Sequence, residues 1–546
     1  MKFLSKLILS SGFLLANLNV FSQLVPGALS YHEQALMFSS YSYTGSARIQ
    51  GLANTQISLG GDISSALSNP AGLGLYNRSE ISFTPSYNIQ SASSSYISNA
   101  LTKESGNFNL ANLGIVFNKT KDDIIPGKWR GGSFAISFSK VNNFNSAIYY
   151  SGQNGKNDIL DFYVQDANKQ NVDSDRLQGV TYGAFATYLI SEFLDAYING
   201  NDTTYVPFYD RTFFSEFPTE KLPTLQEETI KSTGGQNQWN FSYGGNLGDY
   251  LYFGAALGIQ SIRYEIAKRY TETYPGLEGD IVSNSILTEN LLTNGIGVNG
   301  TFGIIGRPFN QLTIGMSLIT PTYLSMSEEY YFSTEANFNN FSMRNYGNYF
   351  DANYDLIATN PDADFTTFYE YEATLNNEFH EEESLFDYTI TTPLRLNFGT
   401  SFFFNKNGFI SADIEYVDYS SMKIKDAEGL LENDRLTVKE TYQSTLNVRV
   451  GGEFRLKKLR LRAGYNYQPS PYINKDVPAN IQTYAAGLGY RSGKFFTDLG
   501  VTYKQFDTKY APYILDNPGN ESYLETNFAD IENSNLNFAL SIGFFF

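Results

Sequence analysis

The chain has 546 residues, enough for several soluble domains, yet it carries 41 Tyr, 43 Phe and 46 Gly against only 17 Pro, with a formal charge of −18. That charge excludes nucleic-acid binding through phosphates, which needs a basic face. The absence of cysteine excludes disulfides and thiol chemistry, and a histidine complement of His32 and His380 leaves metal sites and most acid–base catalysis without their usual residue.

The N-terminus reads as an export signal. Lys2 and Lys6 precede the apolar runs Leu7-Ile8-Leu9 and Gly12-Phe13-Leu14-Leu15-Ala16, and Val20-Phe21-Ser22 ends on a small residue suited to cleavage. Such a segment is too short to cross a bilayer as a mature helix. Residues 1–22 are therefore expected to be removed, leaving Gln23 first; no cysteine follows to carry a lipid anchor. Beyond it no run of about 18 apolar residues occurs, so helical spans are not expected.

Residues 23–79 hold Gly45-Ser46-Ala47-Arg48, Ser58-Leu59-Gly60-Gly61-Asp62 and Asn69-Pro70-Ala71-Gly72-Leu73. Small side chains permit close packing, and Asn69-Pro70 favours a fixed turn. From Glu80 onward about fourteen segments alternate apolar and polar positions, as strands with one greasy face do. Seven lie near Glu80–Gln90, Asn107–Lys119, Gly132–Tyr150, Gln236–Leu247, Tyr250–Tyr270, Leu292–Arg307 and Gln311–Ser325. The other seven lie near Phe386–Phe404, Phe409–Lys423, Ser444–Leu456, Leu459–Gln468, Ile481–Arg491, Phe495–Phe506 and Asn535–Phe546. The last places Leu536, Phe538, Leu540, Ile542 and Phe544 on one face and ends on Phe546, which resembles the closing strand of a Gram-negative outer-membrane barrel.

The connections alternate between short and long. Gly248-Asp249, Pro308-Phe309-Asn310, Lys406-Asn407-Gly408, Lys457-Lys458 and Ser492-Gly493-Lys494 are short, Thr120–Gly131 is an exception, and Ser151–Gly235 and Met326–Leu385 are the longest loops. Outer-membrane barrels sort loops in this way, with tight periplasmic turns, long extracellular loops and an even strand number. The two-residue turn at Lys457-Lys458 pairs Leu456 with Leu459, and so sets Glu453 opposite Arg462 and Arg455 opposite Arg460. Opposed like charges are destabilising, so the arginine pair needs an anion, for which the N-terminal segment is one source. Gly408 suits the left-handed bulge position of a three-residue loop. The third strand turns Phe134, Ile136 and Phe138 outward, then reaches Lys140 and Asn142. A lipid-facing ammonium near mid-bilayer costs about 2–4 kcal/mol, so the strand should kink or bulge over Ser139–Asn145.

With Asn69-Pro70-Ala71 between an exported N-terminus and this strand pattern, the chain resembles the FadL/TodX family of outer-membrane transporters of long-chain fatty acids and aromatic hydrocarbons. Thr320-Pro321-Thr322-Tyr323, Thr392-Pro393-Leu394-Arg395 and Ala412-Asp413-Ile414-Glu415-Tyr416-Val417-Asp418-Tyr419 are similar too, whereas Gly51-Leu52-Ala53-Asn54 departs from the Gly-Gly-Ala of many relatives. The resemblance implies an all-β protein: a monomeric, antiparallel transmembrane β-barrel of about 14 strands spanning residues 80–546. It also implies that residues 23–79 form a hatch inside the lumen, with Asn69, Pro70 and Ala71 against the wall, and that the kink in the third strand is a lateral exit.

Arg395, Asp413, Glu415, Arg449, Glu453, Arg455, Arg460, Arg462 and Asp498 fall on inward faces. They read as a structural charge ladder or a latch for the hatch more readily than as a carboxylate-binding site. Tyr182, Phe185, Ala186, Leu189, Phe193 and Tyr197 recur at helical spacing in the first long loop. They are candidates for an external ligand-capturing groove, or for a helix packed on the rim. The loop Met326–Leu385 is acidic at Glu328, Glu329, Asp362, Asp364, Glu381, Glu382 and Glu383, with Arg344 opposed. Solvation explains these charges more simply than cations bridging lipopolysaccharide. His32 and His380 read as ordinary polar residues rather than haem or metal ligands.

The expectation is passive import of a hydrophobic small molecule, fatty-acid-like or aromatic, with no cofactor and no metal. The other partners expected are outer-membrane lipids, lipopolysaccharide and the barrel-assembly machinery. A haem receptor and a shuttle or assembly component of a protein secretion system, as in some family members, are the alternatives. A phospholipase-type enzyme would need a Ser–His arrangement that two histidines make difficult.

Overall fold

The structure, a computed structural model, describes residues 30–42, 45–121, 128–192, 194–199, 202–207, 213–215, 223–276, 282–339, 369–374, 386–517, 519 and 521–546. The expected signal peptide lies outside them, as do Phe193, Arg344, Asp362, Asp364, His380 and Glu381–Glu383.

Among the described residues, fourteen antiparallel strands close on themselves. These are β1 (Glu80–Tyr96), β2 (Asn99–Thr120), β3 (Trp129–Asn143, resuming at Ser146–Asn154), β4 (Thr224–Leu247), β5 (Leu251–Thr273), β6 (Val282–Phe309) and β7 (Leu312–Ile319, resuming at Tyr323–Phe338). They continue as β8 (Phe386–Thr391, resuming at Arg395–Phe403), β9 (Gly408–Asp418, with Lys423–Asp426 beyond it), β10 (Ser444–Leu456), β11 (Leu459–Gln468), β12 (Ile481–Arg491), β13 (Phe495–Tyr510) and β14 (Ala529–Phe545). Each strand pairs with the next, and β14 pairs with β1 from Glu80↔Phe545 to Ser95↔Asp530. The ring has no free sheet edge along that seam, which is how an antiparallel sheet satisfies its backbone in lipid.

Breaks in β7 and β8 fall at Pro321 and Pro393, where a proline cannot donate to the ladder. At the turn into β9, the left-handed residue is Asn405 (φ 54°), not Gly408. Gly408 instead opens β9 at φ 153°, where a Cβ would collide with the Glu453 carbonyl of β10.

Side-chain alternation follows the ring. Leu446, Val448, Val450, Phe454, Leu459 and Leu461 are exposed on the outer face, whereas Arg449, Glu453 and Arg462 are buried. Outside, the lipid-facing band on β1 and β2 pairs Ile81 with Ile115, Phe83 with Leu113 and Tyr87 with Phe108.

The described residues between Ser30 and Ser79 pack against inward-facing residues of the ring, as at Asp413 and Ser541. They form α1 (Tyr31–Ser39), α2 (Ala47–Gln50), α3 (Ser65–Ser68) and a 3-10 turn over Pro70–Leu75. Ser46 caps α2 by accepting a hydrogen bond from Ile49 N–H, as N-cap serines do. From Ala47 to Leu73 most residues are buried, among them Ile49, Leu52, Leu67 and Leu73.

A row of inward glycines makes room for this segment. Gly254 pairs with Gly303, Gly451 with Gly464, and Gly487 with Gly500 across neighbouring strands. A Cβ on Gly254 would strike the Pro70 carbonyl carbon, and one on Gly464 would strike the Leu52 carbonyl. A side chain at either position would push the N-terminal segment off the wall.

The two long loops contain more regular structure than alternation suggests. Ser151–Asn154 and Thr224–Gly235 continue strands, and the first loop holds α4 (Ile159–Gln170) and α5 (Gly179–Ala186). Met326–Phe338 also continues β7, so Glu328 belongs to a strand and is fully buried. The helix carrying Tyr182 and Phe185 stops at Ala186. Tyr188 turns left-handed at φ 61°, and Leu194–Asn199 pairs with Asp202–Pro207 as a hairpin. Tyr197 therefore lies on a strand, where the β-branched and aromatic run Thr203-Thr204-Tyr205-Val206 finds its partner. The six-residue helical face read from Tyr182 to Tyr197 does not form.

Candidate functional site

Above the glycine row, α1 crosses the lumen and is tied to three sides. Glu328 on β7 accepts from Tyr31 Oη at 3.0 Å and from Gln34 Nε2 at 2.7 Å, and Tyr388 donates to Gln34. His32 Nδ1 lies 3.1 Å from Asp434 of α6 (Glu432–Thr441), an ordinary polar contact. Gln236 Nε2 of β4 reaches the Phe38 carbonyl at 3.2 Å.

Beside α1 lies a cavity of about 320 Å3. Leu36 and Met37 of α1, Tyr264 of β5, Tyr472, Phe506 and Tyr510 supply apolar surface, and Glu33 supplies a carboxylate. A second, polar cavity of about 90 Å3 lies between Gln50 and Asn54 of the N-terminal segment and strands β1–β3 and β11–β14. Gln468 and Ile481 line both cavities.

The wall changes where the polar cavity meets β2 and β3. Their ladder runs from Thr120↔Gly131 to Asn112↔Ser139 and ends there. Beyond Ser139, β3 keeps its pairing with β4, with a register shift between Lys140 and Asn142, while the resumed strand Ser146–Asn154 pairs with β4. The bulge turns Asn142 inward: its amide donates to the Ser40 carbonyl and to Gln236 Oε1, and its oxygen accepts from Ser42 N–H. The sequence-predicted break at Ser139–Asn145 is thus present, and it moves Asn142 off the lipid-facing row. Across the gap, Asn107 and Asn143 exchange amide hydrogen bonds of 3.4 and 3.3 Å.

Lower in the lumen sits the charge ladder. Arg395 Nη1 pairs with Glu415 at 2.9 Å, and Arg449 Nη2 pairs with the other oxygen at 3.1 Å. Asp413 accepts from the Gln56 and Ile57 N–H groups at 2.7 and 3.0 Å, and Arg395 donates to the Ser39 carbonyl. Glu453 and Arg462 are register partners 2.8 Å apart, with Asp498 2.7 Å from Arg462. Arg455 and Arg460 stand opposite each other, but the anion for Arg455 is Glu453 on its own strand at 2.7 Å. Arg460 turns to the Lys457 and Leu459 carbonyls. The N-terminal segment brings a cation here instead: Arg48 lies 3.9 Å from Glu453 and 3.6 Å from Asp62. Asp413, Arg395 and Glu453 therefore all engage the N-terminal segment.

Asn69 is fully buried among backbone groups. Its oxygen accepts from Ala71 N–H at 3.1 Å. Its amide donates to the Ile57 carbonyl at 2.7 Å and reaches the wall carbonyls of Met316 and Ile304 at 3.3 and 3.5 Å. In the first long loop, Leu189 is fully buried, and Tyr182 and Phe185 pack half-buried against the same core, with Phe185 edge-on to Phe213. These three meet in a packed interior rather than on an open groove. Phe193 lies outside the described residues. The lining missed by sequence reading — Tyr264, Tyr472, and Phe506 with Tyr510 on β13 — comes from three separate parts of the chain, which no local spacing links.

Residues 344–529 match the family model described as outer membrane protein transport protein (OMPP1/FadL/TodX). The FadL/TodX resemblance read from Asn69-Pro70-Ala71 thus recurs in a separate stretch of sequence, and the chain is an outer-membrane β-barrel. No curated protein matches the sequence. Among solved structures, a Pseudomonas aeruginosa FadL homologue is similar at 11% identity and TM-score 0.49, covering 92% of this chain and 98% of that one. The Pseudomonas putida toluene transporter TodX is similar at 12% identity and TM-score 0.49, covering 92% and 99%. The Ralstonia pickettii toluene transporter TbuX is similar at 13% identity and TM-score 0.43, covering 92% and 99%.

Proposed function

We propose that this FadL/TodX-like barrel carries hydrophobic small molecules, fatty-acid-like or aromatic, inward down their concentration gradient and releases them sideways between β2 and β3. The observation that carries the reading is the end of the β2–β3 ladder at Asn112↔Ser139. The apolar band continues on β1 and β2 past that point, through Tyr87↔Phe108 to Ile89↔Gly106. Backbone that leaves its ladder at membrane depth is tolerated where it lines a cavity or is buried in protein, and the polar cavity lies behind this stretch. The apolar cavity beside α1 provides a resting place, since each buried methylene contributes about 0.8 kcal/mol. Residues 23–79 act as the hatch: with the lumen filled at the glycine row, the direct path to the periplasm is closed and the side exit is the shorter one. No energy source beyond the gradient is required.

The chain contains no cysteine, so a single engineered disulfide can test the gap. Asn107→Cys with Asn143→Cys joins its two sides at the amide pair. Cells lacking their own channels of this kind, given labelled toluene and labelled dodecanoate, should take up at least one saturably when the pair is reduced. Oxidation should abolish that uptake and reductant should restore it. Equal uptake in both redox states would end the lateral-exit reading.

A further inference from the structure

The chain as a whole is strongly acidic, at −18, yet one stretch of its periplasmic rim is basic. Three short turns lie side by side there: residues 404–407 lead into β9, residues 457–458 into β11 and residues 492–494 into β13. Backbone bonds tie them together. Arg455 N–H donates to the Asn407 carbonyl at 2.7 Å, and Arg491 N–H donates to the Lys458 carbonyl at 2.9 Å. The side chains of these two arginines are matched, Arg455 with Glu453 and Arg491 with Asp498, each at 2.7 Å. Both carboxylates are buried, and both also serve Arg462. Lys406, Lys457, Lys458, Arg460 and Lys494 have no carboxylate side chain within ion-pairing reach among the described residues.

This rim stands at head-group depth. Leu456 and Leu459, on either side of Lys457-Lys458, are exposed on the outer face, and Phe454 with Leu461 forms the next outward pair. Beside Lys494, the Phe495 ring lies 6.1 Å from Tyr490 and 6.2 Å from Phe544. Aromatic belts of this kind sit where hydrocarbon meets head groups. One row above, Gly452 pairs with Ile410 on one side and with Ala463 on the other. With so little side chain there, the outer wall is hollowed into a groove of about 570 Å3. Phe404, Ile410, Phe454 and Leu461 line it with Gly452 and Ala463, and it reaches Asn407 in the turn that carries Lys406. An acidic soluble partner would use the cations and leave the groove idle. A phosphate head on a hydrocarbon chain uses both.

We propose that this face holds an anionic phospholipid of the periplasmic leaflet. Its phosphate rests against Lys457 and Lys458, with Lys406 beside them, and one acyl chain lies in the groove over Gly452 and Ala463. The site is on the outside of the wall, so it is separate from the lumen and from whatever the lumen carries.

The test is native mass spectrometry of the full chain in a non-ionic detergent, titrated with dioleoylphosphatidylglycerol or dioleoylphosphatidylcholine, which differ only in the head group. Phosphatidylglycerol should bind more tightly, and raised salt should weaken it alone. Lys457→Gln with Lys458→Gln should weaken phosphatidylglycerol about twenty- to thirty-fold, at a factor of about five per lysine, and bring it level with phosphatidylcholine. Lys457→Arg with Lys458→Arg should retain the preference. Ala463→Leu, which fills the groove and keeps the outer face apolar, should weaken both lipids about tenfold, the contribution of roughly two methylenes. Lys119→Gln with Lys121→Gln, across the ring, should change nothing. Assembly of each variant is checked by its mobility on unheated SDS gels. Should the glutamine pair fail to assemble, Ala463→Leu and the salt response of the unaltered chain decide. Equal binding of the two lipids by the unaltered chain, as a rim built for an acidic protein would give, overturns the site. An equal loss with Lys119→Gln and Lys121→Gln overturns it too, and unchanged binding by Ala463→Leu overturns the groove as the seat of the chain.

Discussion

Replacing Asn69 by alanine tests whether the Asn-Pro-Ala turn pins the N-terminal segment to the wall. The side chain is fully buried and caps the 3-10 turn at Ala71 N–H, 3.1 Å away, while its amide satisfies the Ile57 carbonyl at 2.7 Å. Loss of a cap costs about 0.5–2 kcal/mol, and each buried group left without a partner costs about 1–3 kcal/mol. Counting the cap once and the Ile57 carbonyl once gives about 1.5–5 kcal/mol. Because neighbouring segments remain anchored by Asp413 and Arg395, the cost should appear as local opening of residues 45–79 rather than unfolding of the barrel. At 1.4 kcal/mol per tenfold, opening becomes at least about tenfold more frequent. Trypsin at Arg48, whose side chain is 11% exposed, reports that opening directly, and planar-bilayer conductance reports it independently. Asn69→Asp should behave alike, since it keeps the acceptor for Ala71 but turns a second oxygen toward carbonyls. Unchanged cleavage and unchanged conductance in both variants would refute the pinning role.

Three further substitutions probe neighbouring parts of the same arrangement. Gly254→Val places a Cβ against Pro70 and Ala71; the barrel should still assemble on unheated gels but become cleavable at Arg48, and intact resistance would show that the wall yields instead. Glu453→Gln removes the anion shared by Arg455 at 2.7 Å, Arg462 at 2.8 Å and Arg48 at 3.9 Å. It should cost about 3–5 kcal/mol, read as a lower temperature for conversion of the folded band, and no change in that temperature would mean that the network is idle. Asp158, the N-cap of α4, has its carboxyl pushed well above the usual range by burial and by the Glu272 carboxylate nearby. A raised folded-state value means that its contribution is fully present below about pH 4 and is lost as pH climbs through that value. Asp158→Asn keeps the cap and removes the titration. The protection factors of the amides across Ile159–Gln170, taken against intrinsic exchange at each pH, should therefore rise in alkaline solution and lose the pH dependence that Asp158 gives them; an unaltered dependence would place the titration elsewhere.

Much of the wall was legible because its code is local. Alternation identifies the lipid-facing row strand by strand, and the two-residue turn at Lys457-Lys458 fixes Glu453 against Arg462 by arithmetic alone. The interruption in β3 was legible for an energetic reason: an ammonium at Lys140 and an amide at Asn142 do not belong on a lipid-facing row. The first long loop was not legible, since helical spacing from Tyr182 to Tyr197 says nothing of the left-handed Tyr188 that ends α5 or of the hairpin that follows. The glycine row was visible but unread. One glycine in a strand marks a weak position, and only the register Gly254↔Gly303 or Gly451↔Gly464 shows that several share one height.

The inward charges show why the candidate site needed the fold. Arg395, Asp413, Arg449 and Lys504 look alike in sequence: a charge on the inward face of a strand. What separates them is the receiver, which comes from elsewhere in the chain. Asp413 meets the N–H groups of Gln56 and Ile57, and Arg395 meets Glu415 and the Ser39 carbonyl. Those contacts tie both residues to the N-terminal segment, through one carboxylate oxygen of Asp413 and one guanidinium nitrogen of Arg395. Lys504 meets a serine hydroxyl and a ring, beside a cavity that opens toward an apolar one. Unlike Arg395 and Arg449, it has no carboxylate within ion-pairing reach among the described residues. Asp413, Arg395 and Glu453, on β9, β8 and β10, thus meet the N-terminal segment, whereas Arg449 and Arg460 are spent within the wall and Lys504 stands apart from all of them on β13.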